Sequence, residues 1–145
     1  VTKKQHNWVL FRYGEILLNY AEAMINAFHD PNYKDAVYNM SAREAVNQIR
    51  GRTNISLPGF PSDITEKDFV KRLKNERRVE LAFEGHRFWD VRRWKELGQT
   101  AKNNEVISYK KFLLETRAVT DNMYFYPIPN TERFKNPNWG QNPGW

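Results

Sequence analysis

The residues best suited to chemistry lie between positions 76 and 93, where acidic and basic side chains are densest. Glu76, Glu80 and Glu84 follow at four-residue steps, which places three carboxylates on one face of a helix. Arginines three or four positions away offer each carboxylate a partner within the same segment. The predicted structural ion network has seven members: Glu76, Arg77, Glu80, Glu84, Arg87, Asp90 and Arg93. Apolar residues share part of this face, so we expect some of these ions to be buried and architectural.

Paired carboxylates could instead hold a metal ion or perform acid–base chemistry. Di-metal sites in helical bundles need a glutamate followed three residues later by a histidine, with a second copy on another helix. Glu84 and His86 have the wrong spacing, and His86 and Asp90 lack a third ligand. The chain has three histidines, no cysteine and no glycine-rich phosphate-binding loop. The sequence therefore predicts no catalytic residue, no metal site and no cofactor.

Aromatic residues are the other candidates for binding, because the C–H faces of sugars stack on tryptophan and tyrosine rings. Among five Trp and seven Tyr, the candidates by residue type are Trp8, Trp139, Trp145, Tyr109 and Tyr124, and we rank Trp8 and Trp139 first. Aromatic residues in coil more often fill the edge of a core, so Trp139 and Trp145 are also predicted to be buried anchors of the tail. No local cluster of rings is apparent, and the chain alone is predicted not to bind polysaccharide.

The composition is that of a globular domain, with 40% hydrophobic residues and a net charge of +6. Acidic residues are interspersed with the basic ones, so no nucleic-acid partner is predicted. The apolar runs are too short to span a bilayer, and any targeting segment is expected to have been cleaved or to lie on a longer precursor. Because cysteine is absent, any lipid-anchoring cysteine is expected to lie upstream of this stretch.

Apolar periodicity and capping residues predict two helices in the first part of the chain. Residues 10–28 carry one apolar stripe at three- and four-residue steps, and Pro31 ends that helix. Ser41 and Glu44 have capping-box spacing, so a second helix begins there and is predicted to stop at Asn54. The two helices are predicted to form an antiparallel, tetratricopeptide-like pair.

A third helix is predicted from Thr65 to about Glu84, with a bend at Gly85 and a short helix at residues 88–94. Residues 108–117 and 123–128 have the β-branched and aromatic content of short strands. The predicted fold class is mainly α, with a tetratricopeptide-like pair, further helices, short strands and an ordered coil tail. We expect one domain, 1–145, helical over 8–97 and strand or coil over 98–145.

Several blocks, in order along the chain, resemble one protein family. Residues 12–23, read RYGEILLNYAEA, resemble a helix of the SusD/RagB proteins, and residues 47–52, read NQIRGR, resemble a second. Residues 76–94 are similar to the family block ERRxELAFEGhRfwDlrRW. The pair formed by 126–129, YPIP, and 136–145, NPNWGQNPGW, resembles the family ending. Departures are few: Gly14 stands for the usual alanine, Thr53-Asn54 for Ala-Gly, and Trp145 for tyrosine.

The resemblance implies the C-terminal portion of a nutrient-binding, outer-membrane lipoprotein of the Bacteroidetes. It implies a non-catalytic role on the cell surface, in which the full-length protein captures polysaccharide or oligosaccharide for a SusC-like TonB-dependent transporter. It implies membrane contact only through an upstream lipid anchor, and it carries over no ligand-contacting residue by motif. The alternatives are a generic tetratricopeptide-like interaction scaffold and a basic helical domain that binds nucleic acid.

Overall fold

The computed structural model describes residues 9–97, 105–107, 113–116 and 118–145. The chain separates into two compact units, residues 1–86 and 87–145. The prediction of one domain, divided near residue 97 into helical and coil parts, stays a prediction. The predicted fold class is confirmed, since the described elements are mainly helical.

The first unit is built on helix α1, Tyr13–Phe28. Leu17, Ala21 and Met24 are buried, as the apolar stripe predicts. The predicted stripe begins too early in the sequence, because Leu10 precedes the helix and is exposed. His29, with a φ of 57°, closes the helix in a left-handed conformation just before Pro31.

Helix α2, Ala42–Arg50, packs antiparallel to α1. The predicted capping box at Ser41 and Glu44 is present in both directions, with Glu44 N donating to Ser41 Oγ at 3.1 Å. The predicted stop at Asn54 was wrong, because the helix ends at Arg50 and turns follow. Small residues let the two helices approach closely, since Ala21, Ala42 and Ala45 are fully buried.

Helix α3, Glu66–Glu80, completes the core of the first unit. Thr65 caps it as predicted, because its side chain accepts a hydrogen bond from Asp68 N. Phe69 and Leu73 are buried on its inner face, and Phe69 meets the Phe60 ring edge-on at 5.9 Å between centroids. The helix ends four residues earlier than predicted, and turns over 81–85 follow, with Gly85 at a φ of 81°.

The second unit contains the last turns of helix α4, His86–Arg93, and the C-terminal elements. Strands β1, Glu105–Ile107, and β2, Leu113–Thr116, pair antiparallel. The predicted strand over 123–128 was wrong, because Asp121–Tyr124 forms a 3-10 helix. A short helix α5, Asn130–Arg133, precedes the coil tail. Over the described ranges, no helix combines the length and apolar character needed to cross a membrane.

Candidate functional site

Arg12, at the start of α1, contacts two carboxylates, one at the end of α3 and one in the turns that follow it. Its Nη1 lies 2.6 Å from Glu80 Oε1, and its Nε lies 2.8 Å from Glu84 Oε2. Its Nη2 also donates to the backbone carbonyl oxygen of Glu80. Arg52, just beyond α2, reaches the other oxygen of Glu80 at 2.6 Å. These four residues form the arginine–glutamate cluster, which ties α1, the end of α2 and α3 together.

A second arginine from the end of α2 pairs with Glu76, one turn earlier on α3. Arg50 Nη1 lies 2.6 Å from Glu76 Oε2, and Arg50 Nε donates to the backbone oxygen of Pro58 at 2.7 Å. The guanidinium carbon of Arg50 also lies 5.1 Å from the centre of the buried Phe60 ring. Such charge-assisted, multiply bonded arginines are among the stronger polar interactions in proteins.

The three carboxylates are paired, although not with the arginines that lie three or four positions away in the sequence. Among the described residues, the ion-pair partners identified for Glu76, Glu80 and Glu84 all precede α3 in the chain. Buried Arg77 instead donates to Asn19 Oδ1 of α1 at 2.6 Å. Two further members of the predicted network, Asp90 and Arg93, pair with each other at 2.9 Å. For Arg87 the structure gives no ion pair among the described residues, and its predicted place in the network stays a prediction.

Gly14 makes room for the cluster. A Cβ added at this position would lie 2.9 Å from Arg12 Nη1 and 3.0 Å from Glu80 Oε1. An alanine, which the resemblance leads us to expect here, would therefore require the ion pair to shift by a few tenths of an ångström. The departure from the family pattern thus falls directly beside the arginine–glutamate cluster.

The cluster is expected to make the fold sensitive to acid. Hydrogen bonds from Arg12 lower the pKa of Glu84 below its ordinary value of 4.5. A carboxylate whose pKa is lowered by folding contributes stability that is complete above its unfolded-state pKa and is lost as the pH falls through the folded-state pKa. We expect the melting temperature to be level above about pH 5 and to fall below about pH 4.5.

Melting curves of the wild type and of Glu84→Gln between pH 7 and pH 3 would measure this contribution. The pKa of Glu44 is also lowered, by Lys34 and the Ser41 cap. Glu44 therefore contributes the same acid-sensitive stability to the wild type and to the variant. The difference between the two curves therefore isolates Glu84. If that difference does not shrink as the pH falls, Glu84 contributes no pH-dependent stability.

A side-chain amide fixes the loop between α2 and α3. Asn47 Oδ1 accepts a hydrogen bond from the backbone N–H of Phe60 at 2.6 Å, and its Nδ2 donates to the carbonyl oxygen of Phe60 at 3.3 Å. Asn47 thus satisfies both backbone groups of a buried residue. The ring of Phe60 is thereby held beneath Arg50.

In the C-terminal tail, a side-chain amide again bonds both backbone groups of one residue. Gln141 Oε1 accepts from the backbone N–H of Ile128 at 2.7 Å, and its Nε2 donates to the Ile128 carbonyl at 3.0 Å. Asn142 Nδ2 donates to the Tyr126 carbonyl at 2.5 Å. The segment 126–129 lies outside helix and strand, and Pro129 has a φ of −56° and a ψ of 139°. The two blocks of the resembled family ending therefore bind each other.

Replacing Gln141 with alanine is expected to release the backbone of Ile128. Two half-buried hydrogen bonds would be lost, at about 0.5–1.5 kcal/mol each. Amide hydrogen exchange should show faster exchange at Ile128, by roughly tenfold or more. Asn138→Ala is the matched control, because the Asn138 side chain is exposed on the same tail. Equal protection of Ile128 in both variants would contradict this role of Gln141.

The candidate aromatic residues differ from the prediction in their burial. Trp8 and Tyr109 lie outside the described residues. The predicted burial of Trp139 and Trp145 was wrong, because each is 50% exposed. Trp145 is nevertheless fixed at one edge, since its Nε1 donates to the carbonyl oxygen of Asn122 at 3.0 Å. Polar bonding rather than burial therefore holds this ring.

An aromatic cluster that the sequence did not reveal lies in the second unit. Phe88 and Trp89 of α4 meet edge-on at 5.0 Å between ring centres, and the Tyr126 ring lies 6.2 Å from that of Trp89. The guanidinium carbon of Arg92 lies 3.5 Å from the Phe88 ring centre, within cation–π distance. These residues come from segments more than thirty positions apart in the sequence, so local inspection could not show that the rings meet.

A cavity of about 800 Å³ opens beside these rings. We call it the α4 pocket, and its lining residues are Trp89, Arg92, Arg93, Lys95, Asp121, Tyr124 and Phe125. Of the five candidate aromatics, the pocket includes Tyr124. Within the described residues, no group of three or more histidine, aspartate or glutamate side chains could hold a metal ion.

These features define a mainly helical protein in which several sequence blocks meet through arginine and amide side chains. Comparison with known proteins places them in one family. The model of the SusD family matches residues 1–145. The chain belongs to the SusD family.

The relatives are substantially longer than this chain. SusD-like protein P2 of Formosa agariphila is 31% identical over 145 residues, an alignment that covers 96% of this chain and 26% of that protein. A SusD homolog from Bacteroides thetaiotaomicron has a TM-score of 0.74 at 28% identity, covering all of this chain and 30% of its own. A SusD superfamily protein from Parabacteroides distasonis has a TM-score of 0.64 at 27% identity, covering 96% and 27%. The chain thus spans about a quarter of P2.

Proposed function

We propose that this chain is the scaffold portion of a non-catalytic nutrient-binding protein on the cell surface. The full-length protein captures a glycan and passes it to a SusC-like TonB-dependent transporter in the outer membrane. It is held at the membrane by a lipid anchor upstream of this chain. The observation that carries the proposal is the match of the SusD family across residues 1–145.

The geometry of the first unit supports a scaffold role. The arginine–glutamate cluster joins Arg12, Arg52, Glu80 and Glu84, and these residues lie in three separate blocks of the family pattern. Both guanidiniums are bonded to carboxylates of the chain itself, so the charges of the cluster are engaged within the first unit. Such a cluster holds helices in a fixed relation and leaves recognition to other surfaces.

The proposal is tested with the whole protein that contains this chain, carrying an affinity tag and purified from outer membranes. A TonB-dependent transporter should copurify with it, and an in-frame deletion of its gene should impair growth on one polysaccharide but not on the matching monosaccharide. A tagged protein without a transporter, together with unimpaired growth on every polysaccharide, would contradict the proposal.

The alternative is a general tetratricopeptide-like interaction scaffold, which the antiparallel packing of α1 and α2 favours. The same purification separates the two, because a general scaffold would return a partner other than an outer-membrane transporter.

A further inference from the structure

The α4 pocket joins aromatic faces and positive charge in one concave surface. Trp89 lies on α4, and Tyr124 and Phe125 lie at the end of the 3-10 helix. Trp89 and Phe125 are each 59% exposed. Rings of this kind, exposed in a cavity, offer flat apolar faces to a ligand.

The part of the pocket that the 3-10 helix forms is held in place by the tail. Trp145 Nε1 donates to the carbonyl oxygens of Asn122 and Phe125 at 3.0 and 3.2 Å. Asn122 Nδ2 donates in return to the carbonyl oxygen of Gly144 at 3.1 Å. The 3-10 helix, which supplies part of the pocket lining, is thus bonded to the tail. A site built on fixed elements loses less entropy when a ligand binds.

The charge of the pocket is positive and only partly neutralised. Arg93 is paired with Asp90 at 2.9 Å, and Asp121 contributes one acidic group. Arg92 stacks on Phe88 and donates to a backbone oxygen, and its Nε is buried without a hydrogen-bond partner among the described residues. Lys95 is exposed beyond the end of α4, held at a φ of 56°. Over the described ranges, no carboxylate pairs with Arg92 or Lys95.

We propose that the α4 pocket binds an acidic sugar residue, in which the ring stacks on Trp89 and the carboxylate or sulfate group meets Lys95 and Arg92. A pyranose ring has an apolar C–H face that fits an aromatic side chain. A carboxylate or sulfate ester supplies the negative charge that the pocket lacks. This inference rests on the proposed function, because that function supplies the glycan, and it replaces the prediction that the chain alone binds no polysaccharide.

The test is isothermal titration of the 145-residue chain with tetragalacturonate and with its fully methyl-esterified form. The two ligands share a backbone and differ in charge. The acid form should bind at least tenfold more tightly, which is about 1.4 kcal/mol, and the difference should shrink in high salt. A sulfated carrageenan tetrasaccharide forms a third arm and distinguishes a sulfate from a carboxylate preference.

Variants assign the contacts. Lys95→Gln should weaken binding of the acid form by roughly tenfold and leave the ester unchanged, whereas Trp89→Ala should weaken both. Trp89→Phe keeps a ring and should retain most of the affinity. Lys67→Gln is the matched control, because it removes the same charge from an exposed position on α3 that is not among the lining residues of the pocket.

Binding of either acidic oligosaccharide with these variant effects supports the proposal. Equal affinity for acid and ester, no binding in any arm, or equal effects of Lys95→Gln and Lys67→Gln would each overturn it. Failure here is distinguishable from failure of the proposed function, because copurification of the transporter with the whole protein does not depend on this pocket.

Discussion

Arg12→Ala is expected to be the most damaging single charge removal in the first unit. It would leave Glu80, 12% exposed, with Arg52 alone, and it would leave Glu84 without its partner. Removing one member of a buried pair costs about 3–5 kcal/mol because the other charge is stranded. Since this cluster is half-buried, we expect a loss of about 2 kcal/mol and a fall in melting temperature of roughly 8 °C.

Thermal unfolding followed by circular dichroism would measure the effect. Arg78→Ala is the control, because Arg78 is an exposed arginine on α3, two residues before Glu80. Its loss should change the melting temperature by no more than a degree or two. Arg12→Lys should be intermediate, since a lysine keeps the charge but not the forked geometry that reaches both carboxylates. If Arg12→Ala and Arg78→Ala melt together, the cluster does not stabilise the fold.

Phe69→Ala is expected to have the largest effect in the core. The Phe69 ring is fully buried and supports the Phe60 ring, above which Arg50 and Arg72 lie at 5.1 and 5.8 Å. Removing it leaves a cavity that the three helices cannot close, at a cost of about 3–5 kcal/mol. The melting temperature should fall by roughly 15 °C, and the Arg50–Glu76 pair should loosen because the ring beneath Arg50 is no longer supported.

The control for this change is Ile16→Ala, since Ile16 lies on α1 and is about half exposed. It should cost less than about 1 kcal/mol. Phe69→Leu preserves most of the volume and should recover much of the lost stability. A Phe69→Ala protein that melts within a few degrees of the wild type would show that the core of the first unit repacks freely.

Periodicity and capping predicted the helices of this protein because those signals are local. The Ser41–Glu44 capping box, the Thr65 cap and the Gly85 bend are all found where spacing placed them. The predicted end of α3 is four residues too late, because Leu81 to Glu84 are residue types that helices accept. The predicted end of α2 is also too late, because Gly51 already caps that helix. Element type was therefore readable from the sequence to a greater degree than element length.

The partners of the charged residues could not be predicted in the same way. Spacing along the sequence offered nearby arginines such as Arg77 and Arg87, yet Glu80 is bonded to Arg12, which is 68 positions away in the sequence. The arginine that pairs with a given carboxylate is determined by how α1, α2 and α3 pack against one another. The α4 pocket was missed for the same reason, since its rings lie on segments separated by more than thirty residues.

The separation of Arg12 from Glu80 and Glu84 also has a consequence for the order of folding. Closing loops of 68 and 72 residues has an entropic cost. That cost is offset only after the intervening helices have packed. The cluster should therefore be unformed in the folding transition state, with a φ-value near zero at Arg12. Interactions that form after the transition state act mainly on the rate of unfolding. The arginine–glutamate cluster would thus work as a kinetic latch, which slows the opening of the folded helices and hardly affects how quickly they assemble.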